Sequence, residues 1–248
     1  MIMPNAAVSA SAQSAFPGLE KYTRPTPSRV PRSRLPEVKF AADEDTAKKR
    51  VTIDITWDEK ERSTSFFVEG RGVSLDEIEE HLAPIARSTI EEKTKDSRVS
   101  VLVRCDRDAA FKWVHFVMMI CARPDTRIYR VYLAVVKRSG SGEPKEGKLA
   151  VFLPRRGPKP LKRIRVRLAM RGKRCWCYMN GQPAGPMPEA ARSAYGLLKA
   201  LNEDSPRNVD IDYDGILLGP VVSIVEQCRK AKIASVTFVD PLPMKPKK

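Results

Sequence analysis

Apolar and polar residues alternate along two separated stretches of the chain, "KRVTIDITW" from Lys49 and "KRIRVRLAM" from Lys162. Successive side chains of a β-strand point to opposite faces, so this period of two predicts strands with one buried face. A second alternating run follows each stretch, "TSFFVEG" to Gly70 and "CWCYMNG" to Gly181. Glu69-Gly70 and Asn180-Gly181 are typical of turns at strand ends.

Helical spacing of apolar residues comes next in both halves of the chain. Ser74 and Glu77 stand at the spacing of a capping box, which predicts a helix N-terminus there. Pro188 is suited to begin the corresponding helix of the second half. The apolar stripes of the two helices are formed by Leu75, Ile78, Leu82 and Ile85 and by Ala191, Ala194, Leu198 and Leu201.

A third alternating run in each half, "RVSVLVRCD" to Asp106 and "NVDIDYD" to Asp214, predicts another strand. The second run also matches the start of a calcium-binding loop. Position 12 of that loop requires a bidentate glutamate, and Val221 stands there, so the strand is the better interpretation. Its aspartates are expected to face water. A second helix and a closing strand then follow in each half, with the closing strands from Ile128 and Ile233.

The same six elements therefore occur twice in the same order, which predicts an internal duplication. The order β-β-α-β-α-β predicts an α+β fold in which each repeat is a two-layer unit. A mixed sheet carries two helices on one face, since each helix has one apolar stripe. "KLAVFLP" from Lys148 is expected to add a strand to the first unit.

These elements divide the chain into five segments. The first is a disordered tail rich in proline, alanine and serine. The basic C-terminal segment is also interpreted as a tail. The predicted segments are residues 1–47 for the tail, 48–154 for the first unit, 155–161 for the linker, 162–240 for the second unit and 241–248 for the basic tail.

The repeated unit resembles the globular domain of the ExbD/TolR family, the small subunits of ion-driven motors in bacterial cell envelopes. The resemblance rests on "VSVLVRCDRDAAFKWVHFVMMICA" and "NVDIDYDGILLGPVVSIVEQCRKAKIASVTF" and covers residues 49–136 and 162–239. Asp106 and Asp214 stand at the family's aspartate after the strand, and Phe111 stands at its aromatic position. Two residues depart from the family pattern: Leu218 replaces the aromatic residue, and Lys232 replaces the glycine of Ala-Gly-Ile.

The resemblance implies a non-catalytic biopolymer transport protein on the periplasmic side of the inner membrane. By resemblance its partners are an envelope motor or energy-transducing protein, or peptidoglycan. Because the family's domain dimerises, the two repeats are expected to form a similar pair within one chain. Family members carry a membrane helix with an ion-conducting aspartate before this domain. The proline-rich segment stands there in this sequence, without a run of 18 apolar residues, so no residue is assigned that role.

Charge is distributed unevenly along the chain, whose formal net charge is +15. Residues 138–176 contain 13 basic and 2 acidic side chains, and this excess marks the best candidate for a binding site. Arg163, Arg165 and Arg167 alternate with apolar residues and are expected to project from one strand face. The full candidate set for an anionic partner is Lys162, Arg163, Arg165, Arg167, Arg171, Lys173 and Arg174.

Two other interpretations of this basic strand remain open. The arginines can belong to a solvated edge strand, where charge discourages aggregation. They can also form the surface of a nucleic-acid-binding module, although Trp176 is the only aromatic residue that we associate with them from the sequence.

Catalytic, metal and cofactor sites are not predicted. His81 and His115 lie on predicted helices without a neighbouring nucleophile or metal-ligand spacing, and we interpret them as surface or boundary residues. Cys175 and Cys177 share one strand face but lack a second pair of ligands nearby. We therefore expect the five cysteines, an odd number, to be buried structural thiols.

Overall fold

A computed structural model of the chain describes residues 33–39, 41, 49–138, 143–153, 163–203, 208–233 and 235–239. The strands are β1 (Glu37–Val38), β2 (Lys49–Asp58), β3 (Ser63–Val68), β4 (Arg71–Val73), β5 (Val99–Cys105), β6 (Arg130–Lys137), β7 (Lys145–Phe152), β8 (Arg163–Arg171), β9 (Arg174–Met179), β10 (Gln182–Pro186), β11 (Asn208–Tyr213) and β12 (Ser235–Val239). The helices are α1 (Glu77–Arg87), α2 (Phe111–Cys121), α3 (Glu189–Glu203) and α4 (Leu218–Lys230).

The strands form two mixed sheets, and the predicted α+β class is confirmed. In the first sheet the order is β6-β5-β2-β3-β4, with β1 and β7 also paired to β6. In the second the order is β12-β11-β8-β9-β10. The central strand of each sheet, β2 or β8, pairs parallel with one neighbour and antiparallel with the other.

Local sequence explains the beginning of each half. Glu69 and Asn180 adopt φ of 50° and 48° and are followed by glycines at positive φ, so both predicted turns form. The capping box at α1 is also present: Ser74 N donates to Glu77 Oε2 at 2.6 Å, and Glu77 N donates to Ser74 Oγ at 3.3 Å. The bond from Ser74 N, together with a hydrogen bond from the Ser74 side chain, holds the pKa of the Glu77 carboxyl below its usual range.

Each half contains a strand between its first hairpin and its first helix that the pattern did not predict. The prediction placed a turn directly before the first helix of each half. Instead β4 and β10 each complete a hairpin, with β3 and β9 respectively. These strands are too short or too rich in proline and glycine to show a period of two.

The two halves share one hydrophobic core, and they meet at the N-termini of α2 and α4. Phe111 N donates to Ile216 O at 2.9 Å, and Leu218 N donates to Ala109 O at 2.9 Å. The Phe111 ring lies 4.8 Å from the Tyr213 ring, centroid to centroid, and the His115 Nδ1 atom lies 2.6 Å from Tyr213 Oη. His115 is therefore buried at this junction, whereas the sequence interpretation placed it at the surface or at a boundary.

The N-terminal segment departs from the predicted tail over residues 33–39. Its strand β1 pairs parallel with the end of β6, and Val38 is buried. Lys39 N donates to Glu226 Oε1 on α4 at 2.7 Å, so this segment contacts both halves. The composition of this segment is typical of a disordered chain. Its pairing with β6 and the burial of Val38 nevertheless hold residues 33–39 in place. Most of the predicted tail, the predicted 155–161 linker and the basic 241–248 segment lie outside the described residues.

None of the described helices has the length and hydrophobicity that crossing a membrane would require.

Candidate functional site

One face of the second sheet carries the alternating arginines of β8. Arg163, Arg165 and Arg167 are exposed, whereas the residues between them are buried in the core beneath α3 and α4. The predicted orientation of these three arginines is confirmed. They line a concavity of about 950 Å³ together with residues of β9, β11 and β12.

The neighbouring strand β11 places two carboxylates beside these arginines. Its parallel register puts Asp210 next to Arg165 and Asp212 next to Arg167. The Nη1 atom of Arg163 lies 3.1 Å from Asp210 Oδ2, and Arg167 Nε lies 3.8 Å from Asp212 Oδ2. The aspartates therefore neutralise part of the basic strand. The expectation that they face water is wrong for Asp210, which is buried because Arg163 and Asn208 bond to it.

The basic strand is not an edge strand, because β9 and β11 pair with it on either side. The need to protect an unpaired strand edge from aggregation therefore does not explain its arginines. Arg165 has no carboxylate within 4.0 Å among the described residues, so its charge is available to a ligand.

Two aromatic side chains of β9 lie on the same face as the arginines. The antiparallel register places Tyr178 opposite Arg167 and Trp176 opposite Ala169. Both rings are partly exposed, and the Arg171 guanidinium lies 5.0 Å from the centroid of the Trp176 ring. The sequence interpretation noted Trp176 but missed Tyr178. Its position two residues after Trp176 was the signal that could have identified it.

The structure separates the predicted candidate set into two groups. Arg163, Arg165, Arg167 and Arg171 lie along the open face, which we define as the solvent-exposed side of β8, β9 and β11. Lys173 and Arg174 line a different concavity at the end of the β8–β9 hairpin, and the register of the hairpin also puts Arg174 opposite Arg171. Lys162 lies outside the described residues.

The first sheet has a closed counterpart of this face. Its Asp54 on β2 and Arg104 on β5 are register neighbours, with Arg104 Nε 3.2 Å from Asp54 Oδ1. Burial raises the pKa of the Asp54 carboxyl, and Arg104 opposes this shift. Asp54, Thr56 and Phe67 are all buried on this side. Among the described strands, it is therefore the second sheet that presents an exposed row of arginines.

The cysteines are confirmed as buried free thiols. Burial raises the pKa of Cys175 and of Cys177 to about 11, so both are protonated near neutral pH. Across the described residues, no three His, Cys, Asp or Glu side chains are grouped so as to hold a metal ion.

Comparison of the chain with protein-family models, with characterised proteins and with solved structures returned no match.

Proposed function

We propose that this chain is a non-catalytic binding protein of the cell envelope, similar to the globular domain of ExbD/TolR proteins, that contacts peptidoglycan or a partner protein through its open face. The observation that carries the proposal is the uncovered row of arginines on β8, only two of which are paired with aspartates. An extended surface of this kind suits an extended anionic partner. The periplasmic location and the energy-transducing partner are part of this proposal through the resemblance.

Matched features of the two halves support the proposed duplication. Both sheets contain the same order of five strands. Arg127 and Lys232 adopt φ of 49° and 57°, each directly before the isoleucine that leads to the closing strand. This left-handed region favours glycine, which is the residue that the resemblance expects at the Lys232 position.

The reciprocal bonds between the halves support an internal pair. Phe111 and Leu218 are the first residues of corresponding helices, and each donates to a carbonyl that precedes the other helix. This arrangement has the symmetry of a two-fold contact between equivalent surfaces. In this account the two repeats of one chain replace the two subunits of a family dimer.

Binding to isolated peptidoglycan sacculi tests the proposed function. The purified chain is expected to sediment with sacculi, and increasing salt should release it because exposed charges are screened. The Arg165→Ser/Arg171→Ser variant should bind sacculi less well, since neither arginine has a carboxylate partner among the residues that the structure describes. Arg192→Ser is the matched control, because it removes an exposed arginine of α3.

Three results would contradict the proposal. The first is that the chain neither sediments with sacculi nor binds an envelope protein of acidic surface. The others are equal binding by the double variant and binding that is insensitive to salt. The variant deliberately leaves Arg163 and Arg167 in place. Replacing those residues would also remove partners of Asp210 and Asp212 and confuse binding with folding.

Single-stranded nucleic acid is a second candidate ligand, favoured by the position of Trp176 and Tyr178 beside the arginines. Bases stack on exposed aromatic rings while arginines contact the phosphates. Fluorescence anisotropy with labelled oligothymidylate tests this candidate. Trp176→Ala/Tyr178→Ala should abolish oligonucleotide binding, whereas binding to sacculi through the arginines should persist. Oligonucleotide binding without binding to sacculi would replace the envelope proposal.

A further inference from the structure

A second concavity, of about 420 Å³, lies where the two halves and the β8–β9 hairpin meet. We call it the junction groove. Its lining includes Met170, Cys175, Met187 and Leu217, and its rim includes Arg107, Lys173 and Arg174. It adjoins the open face where Arg174 lies opposite Arg171, and nothing in the proposed function uses it.

Apolar side chains of the groove are unusually exposed. Met170 and Leu217 are 49% and 44% exposed, although Leu168 on the same strand and Ile216 beside Leu217 are buried. Methionine side chains adapt to irregular apolar shapes, and Met187 adds a second one. Concavities of a few hundred Å³ at the meeting point of two packed units are typical places for small ligands.

Cations dominate the rim of the groove. The one carboxylate among the lining residues is Glu37, whose Oε1 atom lies 2.8 Å from Arg138 Nη2 and is thereby neutralised. Arg107 Nε lies 3.8 Å from Asp108, but Asp108 is held more closely by Arg34, at 3.1 Å. Lys173 and Arg174 have no carboxylate within 4.0 Å among the described residues.

The N-terminus of α4 also borders the groove, but its amides do not form the anion site. Leu218 N and Gly219 N donate to the carbonyl oxygens of Ala109 and Arg107, and Pro220 has no N–H. Charged side chains must therefore supply the contacts to an anion. An apolar floor beside a cationic rim excludes both a simple phosphate and a neutral lipid as the best match.

We propose that the junction groove binds a small amphipathic carboxylate of the medium-chain fatty-acid class. Its apolar chain lies on Met170, Met187 and Leu217, and its carboxylate contacts Lys173 and Arg174. This proposal does not rest on the proposed function, although the two sites adjoin where Arg174 lies opposite Arg171 in the register of β8 and β9. The probes distinguish them: decanoate reports on the groove, and sacculi report on the open face.

Isothermal titration calorimetry with decanoate tests the proposal, with decylamine as the cationic analogue of equal chain length. We expect decanoate to bind and decylamine not to bind. Lys173→Glu/Arg174→Glu should weaken decanoate binding by about tenfold or more, because the carboxylate of decanoate then lies beside two negative charges. Arg192→Glu, on α3 outside the groove, should have no effect.

Alkylation of Cys175 gives a second readout that does not depend on a charge variant. Cys175 is the only one of the five thiols that lines the groove, and its exposure of 9% exceeds that of the others. At alkaline pH, iodoacetamide should modify Cys175 first, and decanoate should slow this reaction. No decanoate binding, equal binding of decylamine, or unchanged affinity in Lys173→Glu/Arg174→Glu would overturn the proposal.

Discussion

Arg167 Nε lies 3.8 Å from Asp212 Oδ2 across the parallel strands β8 and β11, and both side chains are exposed. The corresponding position of the first sheet holds Asp54 on β2 and Arg104 on β5, so the charges of the pair are exchanged between the two sheets. In the Asp54 pair the carboxylate is buried and Arg104 is 38% exposed, whereas the Arg167 pair borders the open face. Asp212 therefore competes with any anionic ligand for Arg167.

Asp212→Asn should consequently strengthen binding of the anionic partner. The change frees Arg167 and removes a negative charge from the surface. Folding should be almost unaffected, because exposed ion pairs contribute only about 0–1 kcal/mol. The dissociation constant for sacculi or oligonucleotide, measured beside thermal unfolding, checks both expectations. Weaker binding by a fully folded Asp212→Asn protein would show that Asp212 itself contacts the ligand.

Arg163 should matter more for folding than Arg165 does. Its guanidinium is bonded to the buried Asp210, whereas Arg165 has no such partner among the described residues. Arg163→Ser should lower the free energy of unfolding by about 1 kcal/mol, with solvent screening of the half-exposed arginine limiting the loss. Urea denaturation measures this difference.

The Arg163→Ser/Asp210→Asn double variant is the control for that measurement. If the loss comes from leaving Asp210 unpaired, the double variant should recover part of it. The assigned ion pair would be contradicted if the double variant lost as much stability as Arg163→Ser and Asp210→Asn lose in sum.

The junction between the halves should make the chain unfold as one unit. Both halves contribute to one core, and Tyr213 Oη lies 2.6 Å from His115 Nδ1. Tyr213→Phe should lower the free energy of unfolding by about 1 kcal/mol, the usual contribution of one hydrogen bond. Calorimetry should show a single transition at a lower temperature; two separate transitions in the wild-type protein would contradict a shared core.

Light scattering tests the internal pair. A single-chain mass that is unchanged by dilution is expected, because the reciprocal contact at Phe111 and Leu218 is already satisfied within the chain. Dimerisation that depends on concentration would count against it.

The capping box should give α1 a specific acid sensitivity. Hydrogen bonds from Ser74 lower the pKa of Glu77 in the folded state, so their stabilisation is complete above the ordinary glutamate pKa. It is lost as the pH falls through the lowered folded pKa. Ser74→Ala should cost about 1 kcal/mol near neutral pH. The cost of Ser74→Ala should then be measured again in the Glu77→Gln background. There, pH titrations of stability should show a cost that does not change in acid.

Sequence patterns predicted most of the strands and helices because apolar residues recur along them at the period of a strand or of a helix. The turns at Glu69-Gly70 and Asn180-Gly181 were also predictable, since glycine and asparagine accept positive φ. Strand pairing was not predictable in this way. The period of two shows that Arg163, Arg165 and Arg167 share a face, but it does not show that β11 lies beside them.

The parallel register of β8 and β11 joins residues that are far apart in the sequence, and it changes the structural interpretation of the basic strand β8. It turns a suspected edge strand into a central one and pairs two of its arginines with Asp210 and Asp212. It also explains two of the three alternating aspartates of "NVDIDYD", Asp210 and Asp212, which are structural partners of arginine. Lys173 and Arg174 also line the junction groove, which contains residues of both halves, and no pattern in the sequence predicted that groove.

Arginine labelling in the presence of the bound polymer tests the central claim most directly. Phenylglyoxal modifies exposed arginines, and mass spectrometry locates the modified residues with and without saturating sacculus fragments. The account predicts that the polymer protects Arg165 and Arg171 while Arg192 on α3 reacts equally in both samples. Equal labelling of Arg165 and Arg171 in free and polymer-bound protein would show that the open face is not the binding surface.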